Sequence, residues 1–325
     1  MKVFRGLPSK ATLSPCALTI GNFDGVHRGH GALLEQLKKA ANHLGITPTV
    51  LTFSPHPRQF FAGKLGRIVD APITITPFRD KMQALISAGI ERIYIARLND
   101  AMAALTAVEF VRQILIERLN VRWIIVGENF HFGRNREGTT DLLQALGQRF
   151  GFEAQILPSV KESDIRISSS KIRQLLNHSQ FDQVAHLLGR PYQLSGHVIR
   201  GNQLGRKLGF PTANLSMKKN GNVLSGVFIT RVYGLSKDPL PAVSMVGNRP
   251  TIQANGQILL ETHLLNYTGN CYGALIKVEF LKKLRDNQKF SDLNALKVAI
   301  RQDVDVANQY FKGLKEYNSQ ICRPN

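Results

Sequence analysis

Between residues 17 and 157, apolar runs of strand length alternate with longer segments whose apolar residues recur every three or four positions. Ala17 to Phe23 predicts a first strand. Gly29 to about Leu44 predicts a helix with Leu33, Leu34, Leu37, Ala41 and Leu44 as its apolar stripe. Gly45 stands where a left-handed cap would end that helix, and Pro48 to Phe53, with Val50, Leu51 and Phe53, resumes an extended run. Thr76 can cap a helix that opens with Pro77 and closes near Gly89, and Arg92 to Ala96 reads as the next strand. Thr106 and Glu109 have capping-box spacing before a helix reaching Leu119, and Val121 to Val126 is an apolar run of the buried-strand kind. This alternation implies an α/β domain in which helices cover a parallel sheet.

After about Leu187 the rhythm changes to short extended runs: Ser195 to Arg200, Gly226 to Tyr233, Ala242 to Val246, Ile258 to Leu265 and Ala274 to Leu281. Glycine or proline punctuates nearly every gap, a pattern that predicts an all-β antiparallel barrel, with Ser291 to Phe311 as a terminal helix beside it. Gly189 and Pro191 break the preceding helix, so the boundary is placed at Leu187 to Tyr192, giving domains over residues 1–186 and 187–325. A chain of 325 residues has room for two such domains, since one spans roughly 150 residues.

Composition narrows the setting. A hydrophobic share of 43% and a charged share of 20% argue for a globular rather than a disordered chain. No stretch approaches the roughly 20 apolar residues of a membrane span, and Met1 to Lys10 lacks the apolar core of a signal peptide, so the expectation is a cytoplasmic protein without a membrane partner. Cys16, Cys271 and Cys322 are few, odd in number and far apart, which argues for reduced thiols over disulfides or a thiolate metal site. A net charge of +19 favours anions, whether nucleic acid, anionic membrane or polyphosphate. The basic residues are dispersed, with only short pairs such as Lys38-Lys39, Lys218-Lys219 and Lys282-Lys283, so a merely solvated basic surface fits equally well.

The sharpest chemical candidate is the turn that leads from the first strand into the first helix, Gly21-Asn22-Phe23-Asp24-Gly25-Val26-His27-Arg28-Gly29-His30. Free N–H groups and the dipole at a helix start favour an anion, and glycines admit close backbone approach. His27 and His30, three apart, could face the same phosphoryl oxygens; such a pair could also ligate a metal or be structural, although no third ligand stands at customary spacing. A second cluster, Arg166-Ile167-Ser168-Ser169-Ser170-Lys171-Ile172-Arg173, opens another helix, with serines to cap it and cations suited to a leaving polyphosphate. Its plainer reading is a well-capped surface helix.

In the second half, Gly201 to Asn214 is glycine-rich and basic, which suits phosphates, but it lacks the Gly-Lys-Ser/Thr ending of a P-loop. Glu261 lies in an alternating run, sharing a face with Leu259, His263 and Leu265. A carboxylate flanked by leucines would be poorly solvated and hence more basic, as a general base requires; the plainer alternative is an edge glutamate facing water.

These segments together carry a family resemblance. His27-Arg28-Gly29-His30 resembles the His-x-Gly-His nucleotidyltransferases, which attack the α-phosphate of ATP and release pyrophosphate. The longer string from Gly21 to His27, Thr52-Phe53-Ser54-Pro55-His56-Pro57 and Val126-Gly127-Glu128-Asn129-Phe130-His131-Phe132-Gly133 are similar to prokaryotic FAD synthetase. Gly209-Phe210-Pro211-Thr212-Ala213-Asn214 resembles the hallmark of riboflavin kinase, and the likeness continues in Val246-Gly247-Asn248-Arg249-Pro250-Thr251, Leu260-Glu261-Thr262-His263, Leu284-Arg285 and Lys289-Phe290. In this order the motifs resemble the bifunctional riboflavin kinase/FMN adenylyltransferase family over about residues 14 to 312.

The resemblance implies a Rossmann-like nucleotidyltransferase domain followed by a riboflavin kinase barrel. Its substrates and products would be riboflavin, FMN, FAD and ATP, with Mg²⁺ as cofactor. It places Gly21, Asn22, Phe23, Asp24, Gly25, His27, His30 and His56 around ATP, Asn129 near the α-phosphate, and Arg166, Ser169, Ser170 and Arg173 at the distal phosphates. In the barrel it implies nucleotide or flavin binding by Gly205, Lys207, Gly209, Phe210, Pro211, Thr212, Asn214 and Arg285, Mg²⁺ on Thr212 and Asn214, and Glu261 as base for riboflavin's 5′-hydroxyl. The chain departs from the usual pattern at Asn129 and at Ser170, where the hydroxyl is kept, without affecting the assignment, and at Arg200, Asn202 and Asn287, which bears on substrate affinity rather than on the reaction. No nucleic-acid partner is implied, and a monomer or weak homo-oligomer is expected. Two rivals are a tRNA-charging nucleotidyltransferase, which would need an anticodon-binding domain, and an RNA-binding barrel, which would need aromatic and basic residues interleaved on one strand face.

Overall fold

The computed structural model describes residues 2–9, 14–67, 73–162, 165–201, 203–216, 223–248 and 258–321. Asn202, the Lys218-Lys219 pair, Arg249-Pro250-Thr251 and Cys322 lie outside the described residues.

The first half is a six-stranded parallel sheet in the order β1-β4-β3-β2-β5-β6, from β1 (Lys2–Arg5), β2 (Cys16–Ile20), β3 (Thr47–Ser54), β4 (Arg92–Arg97), β5 (Val121–Gly127) and β6 (Glu153–Leu157). Every residue of β2 is buried, as expected of a central parallel strand covered on both faces. Helix α1 (Arg28–Leu44) joins β2 to β3 and ends at Gly45, whose φ of 65° is the left-handed cap the sequence predicts. Its buried stripe is Leu33, Leu34, Leu37 and Ala41. Leu44, expected in that stripe, is 47% exposed in the last turn of the helix.

Helices α2 (Pro57–Lys64) and α3 (Phe78–Ser87) precede β4. Thr76 does not cap α3 as expected, because its hydroxyl is buried without a hydrogen-bond partner among the described residues and the helix begins only at Phe78. After α4 (Asp100–Ala104), both halves of the Thr106–Glu109 capping box form at the start of α5 (Ala107–Glu109), which runs on with wider, π-type hydrogen bonding over Phe110–Ile116. Val111, Ile114 and Leu115 of that segment pack with Leu143 and Leu146 of α6 (Thr140–Phe150) against Leu18, Ile124 and Val126 of the sheet. A hairpin of β7 (Lys161–Glu162) and β8 (Ile165–Arg166) then leads into α7 (Ser169–Asn177).

Next come α8 (Phe181–Leu188), β9 (Gln193–Ile199), the short α9 (Leu204–Leu208), β10 (Thr212–Ser216), β11 (Gly226–Tyr233), β12 (Leu240–Asn248), β13 (Ile258–Leu264), β14 (Leu275–Arg285) and α10 (Leu293–Ile321). The six strands close an antiparallel barrel in the order β10-β13-β12-β11-β14-β9. Its interior carries Phe228, Phe280 and a fully buried hydroxyl thread, Thr230 Oγ1 to Ser244 Oγ at 2.7 Å and Ser244 Oγ to Thr262 Oγ1 at 2.9 Å, so that these polar groups satisfy one another. On the outer wall, Val227, Ile229, Val243 and Leu265 are covered by Ala307 of α10 and its neighbours Val304 and Phe311.

The chain forms two compact units, residues 1–72 with 81–171, and residues 73–80 with 172–325. The boundary expected between residues 186 and 187 therefore falls inside the second unit. Phe181 of α8 explains this, because its ring packs on Tyr192, Phe228 and Phe280 at 5.9–6.5 Å between centroids. Arg173 Nε and Tyr192 Oη also bond the carbonyls of Ile73 and Ile75, at 2.6 and 2.8 Å, holding that early segment in the same unit.

Candidate functional site

In the first unit, β2 pairs with β3 on one side and β5 on the other, which opens a crevice beyond the carboxyl ends of β2 and β5, where ligands of open α/β sheets bind. The turn after β2 is tight: Phe23, Gly25 and Val26 have φ of 48°, 81° and 42°. The Phe23 ring is buried below Gly21, where a Cβ would come within 3.1 Å of it. His27 caps α1, its Nδ1 accepting from the His30 N–H at 3.2 Å. An accepting Nδ1 carries no proton, so in the neutral ring the proton, and the donor, is at Nε2. The His30 ring stacks on that of His27 at 3.7 Å between centroids, and Phe23 backs it at 5.0 Å. Burial, assisted by the charges of His27 and Lys81, holds His30 well below the usual histidine range, so it is neutral at pH 7.

A cleft of about 370 Å³ lies over these rings. Gly21, Asn22, Phe23, His27 and His30 line it together with Glu128 and Asn129 after β5, and with Ser159, Arg166, Ser168 and Ser169. The stacked imidazoles and the Arg-Ser cluster thus meet in one cavity. Ser168 caps α7, its Oγ accepting from the Lys171 N–H, and Ser169 Oγ donates to the Asp24 carbonyl at 3.0 Å, so the serine cluster is tied directly to the turn. Arg28 also has a partner, Nη1 reaching both carboxylate oxygens of Glu162 at 2.9 and 2.8 Å and fastening the hairpin that carries Arg166.

Asn129 Nδ2 donates to Glu128 Oε1 at 3.0 Å. Hydrogen bonds from Ser159, and more weakly the charge of Arg166, hold the Glu128 carboxyl below its ordinary range. His56 caps α2, accepting from Arg58 N–H at 3.2 Å, and neither it nor Ser170 lines the cleft; Arg173 belongs to the second unit. Glu128 and Ser159, which line the cleft, and Lys81, whose charge acts on His30, are residues that the sequence pattern does not single out as candidates. Glu128 stands inside one of the resemblance motifs, whereas Ser159 and Lys81 carry no local signature.

In the second unit, the site is set by strand register. Asn214 pairs with Glu261 and Thr212 with His263 across β10 and β13, so all four side chains share the outer face. Directly opposed Cβ atoms in such a ladder are about 4.5–5.5 Å apart. Asn214 is 5% exposed, and its Nδ2 donates to Thr212 O at 3.2 Å and to Thr212 Oγ1 at 3.4 Å. Gly201 presses on it, since a Cβ there would stand 2.6 Å from the Asn214 amide. His263 Nδ1 donates to Pro211 O at 2.8 Å, and its ring meets Phe210 edge-on at 5.5 Å, so the Gly209-to-Asn214 segment is fixed along its length. Gly209, with φ of 91°, ends α9, and Gly205 lies so close to the Phe210 carbonyl that a side chain has no room; Lys207 is exposed.

Glu261 is partly exposed, and the side chain of Leu259, one of the leucines expected to flank it, lies outside what the structure describes. Its opposite neighbours are Asn214 and the 41%-exposed Met245, while Leu265 lies in the cluster under α10. Arg285 is bound by Asp303 of α10 through Nε at 3.0 and 3.1 Å and Nη2 at 2.7 Å, and its guanidinium lies 5.6 Å from the Phe290 ring centre. At the departures from the usual pattern, Asn287 Nδ2 donates to Val246 O at 2.8 Å, and Arg200 lies over Tyr272 at 5.8 Å. Thr212 and Asn214 offer two neutral hard oxygens, a set suited to a cation whose other ligands are phosphate oxygens and water. Among the described residues no group of three or more His, Cys, Asp or Glu is placed to hold a metal.

Comparison with known proteins assigns a family to each half of the chain. Residues 9–171 match the FAD synthetase family and residues 188–311 the riboflavin kinase family. Proteins named bifunctional riboflavin kinase/FMN adenylyltransferase are 39% identical to this chain in Escherichia coli strain K12, over 96% of this chain and 98% of that protein. The same name and 39% identity hold for Haemophilus influenzae, over 96% and 99%. A solved Streptococcus pneumoniae structure described as a macrolide-efflux protein superposes with a TM-score of 0.74 at 27% identity, covering 94% of this chain and 98% of that one. Among the described residues no helix is long and apolar enough to cross a membrane. With both halves matched in order and relatives of the same length, the chain belongs to the bifunctional riboflavin kinase/FMN adenylyltransferase family.

Proposed function

We propose that the chain makes FAD from riboflavin in two ATP-dependent steps, riboflavin phosphorylation in the region 187–325 and FMN adenylylation in the region 1–186. The observation that carries this reading is that each compact unit assembles its own set of phosphate-handling groups: stacked imidazoles with Arg166 and Ser169 in one, Thr212 and Asn214 in register with Glu261 in the other.

In the kinase step the 5′-hydroxyl oxygen of riboflavin attacks the γ-phosphorus of ATP, the bond to the ADP oxygen breaks, and the hydroxyl proton passes to Glu261. Partial exposure leaves that carboxylate reachable by substrate. Mg²⁺, held by Thr212 and Asn214 along with the nucleotide, would neutralise phosphate charge there. Gly205, Lys207, Gly209, Phe210 and Pro211 enclose the nucleotide or flavin. Arg285, oriented by Asp303, helps hold flavin or phosphate.

In the second step an FMN phosphate oxygen attacks the α-phosphorus of ATP and pyrophosphate leaves. Charge grows on the α-phosphoryl oxygens, where the His27 Nε2–H, the His30 ring and the N–H groups opening α1 stabilise it without relocating a proton. Asn129, oriented by Glu128, lies at the α-phosphate, and Arg166 and Ser169, which line the same cleft, receive the pyrophosphate. The enzyme is read as cytosolic, where ATP is available, and as a monomer or weak homo-oligomer.

Incubation of the protein with riboflavin, ATP and Mg²⁺, followed by chromatography, should show FMN first and FAD later. Glu261→Gln should abolish FMN formation and spare FMN-to-FAD conversion, and His27→Ala should do the reverse. A wild-type protein yielding neither flavin would end the proposal, and a folded single variant lacking both activities would end the division of labour.

A further inference from the structure

Lys81 puts a cation beneath the phosphate-binding turn, on a helix that no motif marks. Its Nζ donates to the Asn22 carbonyl and to Thr52 Oγ1, both at 3.2 Å. Asn22 follows β2 and Thr52 lies in β3, so one ammonium spans the ends of the two strands that the turn leaves and the next helix returns to. Thr52 is fully buried and Asp24 is nearly so. The charged and titratable groups acting around Lys81 are Asp24 in the turn, which favours the ammonium, and His30 on α1, which its charge helps keep neutral.

We infer that Lys81 is a positioning residue for adenylyl transfer, tying β2 to β3 beneath the Gly21–Gly25 turn so that the N–H groups and imidazoles above it hold a triphosphate in place. The inference rests on the adenylyltransferase reading of the first unit. Burying an ammonium is costly even after relaxation, whereas a methionine would fill similar space without that cost. The buried Asp24 carboxylate offsets part of that cost, and the ammonium's hydrogen bonds fix a turn that holds Phe23, Gly25 and Val26 at positive φ. Burial also brings Lys81 down to about 8, so the tie loses its charge in mildly alkaline solution.

The test uses the full-length protein and both activities. Wild type should show an alkaline limb near pH 8 in the kcat/KM for ATP in FMN adenylylation, and no limb shared with riboflavin phosphorylation. Lys81→Met should lower adenylylation by about 10–100-fold and remove the limb, leaving phosphorylation by the same molecules within about two-fold, which certifies folding. Lys81→Arg keeps charge and donors, and should retain most of the rate while moving the limb to higher pH. If Lys81→Met keeps the wild-type rate, or if the limb stays at the same pH in Lys81→Arg, the inference is overturned. A wild-type protein that makes no FAD from FMN and ATP would instead sink the parent reading, so the two failures are distinguishable.

Discussion

Replacing Gly201 by alanine tests the barrel site without touching any residue that meets substrate by its side chain. The new Cβ would stand 2.6 Å from Asn214 Cγ and Oδ1 and 2.7 Å from Nδ2. Carbon needs about 3.5–4.0 Å, so the amide must retreat by about 1 Å. Gly201 is not among the positive-φ residues, so alanine adds no backbone strain and the effect is local to that contact. Asn214 is buried, and moving it breaks its bonds to Thr212 O and Oγ1, a loss of about 1–2 kcal/mol in stability. The larger consequence is kinetic, since displacement of about 1 Å in a group that orients a phosphate can cost on the order of 10²-fold in rate. Riboflavin phosphorylation should therefore fall by about two orders of magnitude, while FMN adenylylation by the same sample stays unchanged and serves as its folding control. Phosphorylation within about three-fold of wild type would refute the assignment of Asn214 to the reacting phosphates.

Two further outcomes follow from ion pairs. Arg28→Glu or Glu162→Arg alone should raise the KM for ATP in adenylylation several-fold by releasing the hairpin that carries Arg166, and the double reversal should restore it; because the pair is exposed, unfolding free energies should shift by less than about 1 kcal/mol. No rescue in the double variant would show that the pair does not position the hairpin. Asp303→Ala should destabilise the barrel unit by about 2 kcal/mol in urea titration, because it leaves the largely buried Arg285 without its bidentate partner, and an unchanged midpoint would show that the clamp is idle.

The strand-helix alternation was readable because parallel strands buried on both faces appear as largely apolar runs: β2 is buried throughout, and β5 is buried over Trp123 to Val126 with only Arg122 exposed near its start. Local devices were readable too: the Gly45 cap, the Thr106–Glu109 box and the His27–His30 pair each depend on residues within four positions of one another. Errors arose where the outcome depends on what a distant segment covers. Periodicity put Leu44 on the apolar stripe, but it cannot say that the core has ended by that turn. Alternation placed Glu261 on the face of its strand opposite to buried Leu260 and Thr262, but could not supply its cross-strand neighbours, Asn214 of β10 and Met245 of β12. Ser159 and Lys81 were passed over for the same reason: each gains its meaning from distant partners, 31 positions away for Ser159 and 29 and 59 for Lys81.

The two sites thus rest on the chain in different ways, and this decides how each can fail. In the first unit the imidazoles and N–H groups are successive residues of one helix start, so their mutual geometry follows from local conformation and depends on distant segments mainly for closure by Arg166 and Ser169. In the barrel, Asn214 faces Glu261 only through the pairing of β10 with β13, strands whose paired residues are far apart in sequence. Side chains alternate along a strand, so a one-residue slip in that pairing would bring Ala213 or Leu215, both buried on the interior side, to the face of Glu261 and turn Asn214 inward. The inward hydroxyl thread of Thr230, Ser244 and Thr262 joins β11, β12 and β13, so β13 cannot slip on β12 without leaving buried hydroxyls unpaired, and the slip would have to move β10 alone. Polar groups inside the barrel therefore hold the strand that carries Glu261, while the interior burial of Ala213 and Leu215 holds β10 in register against it.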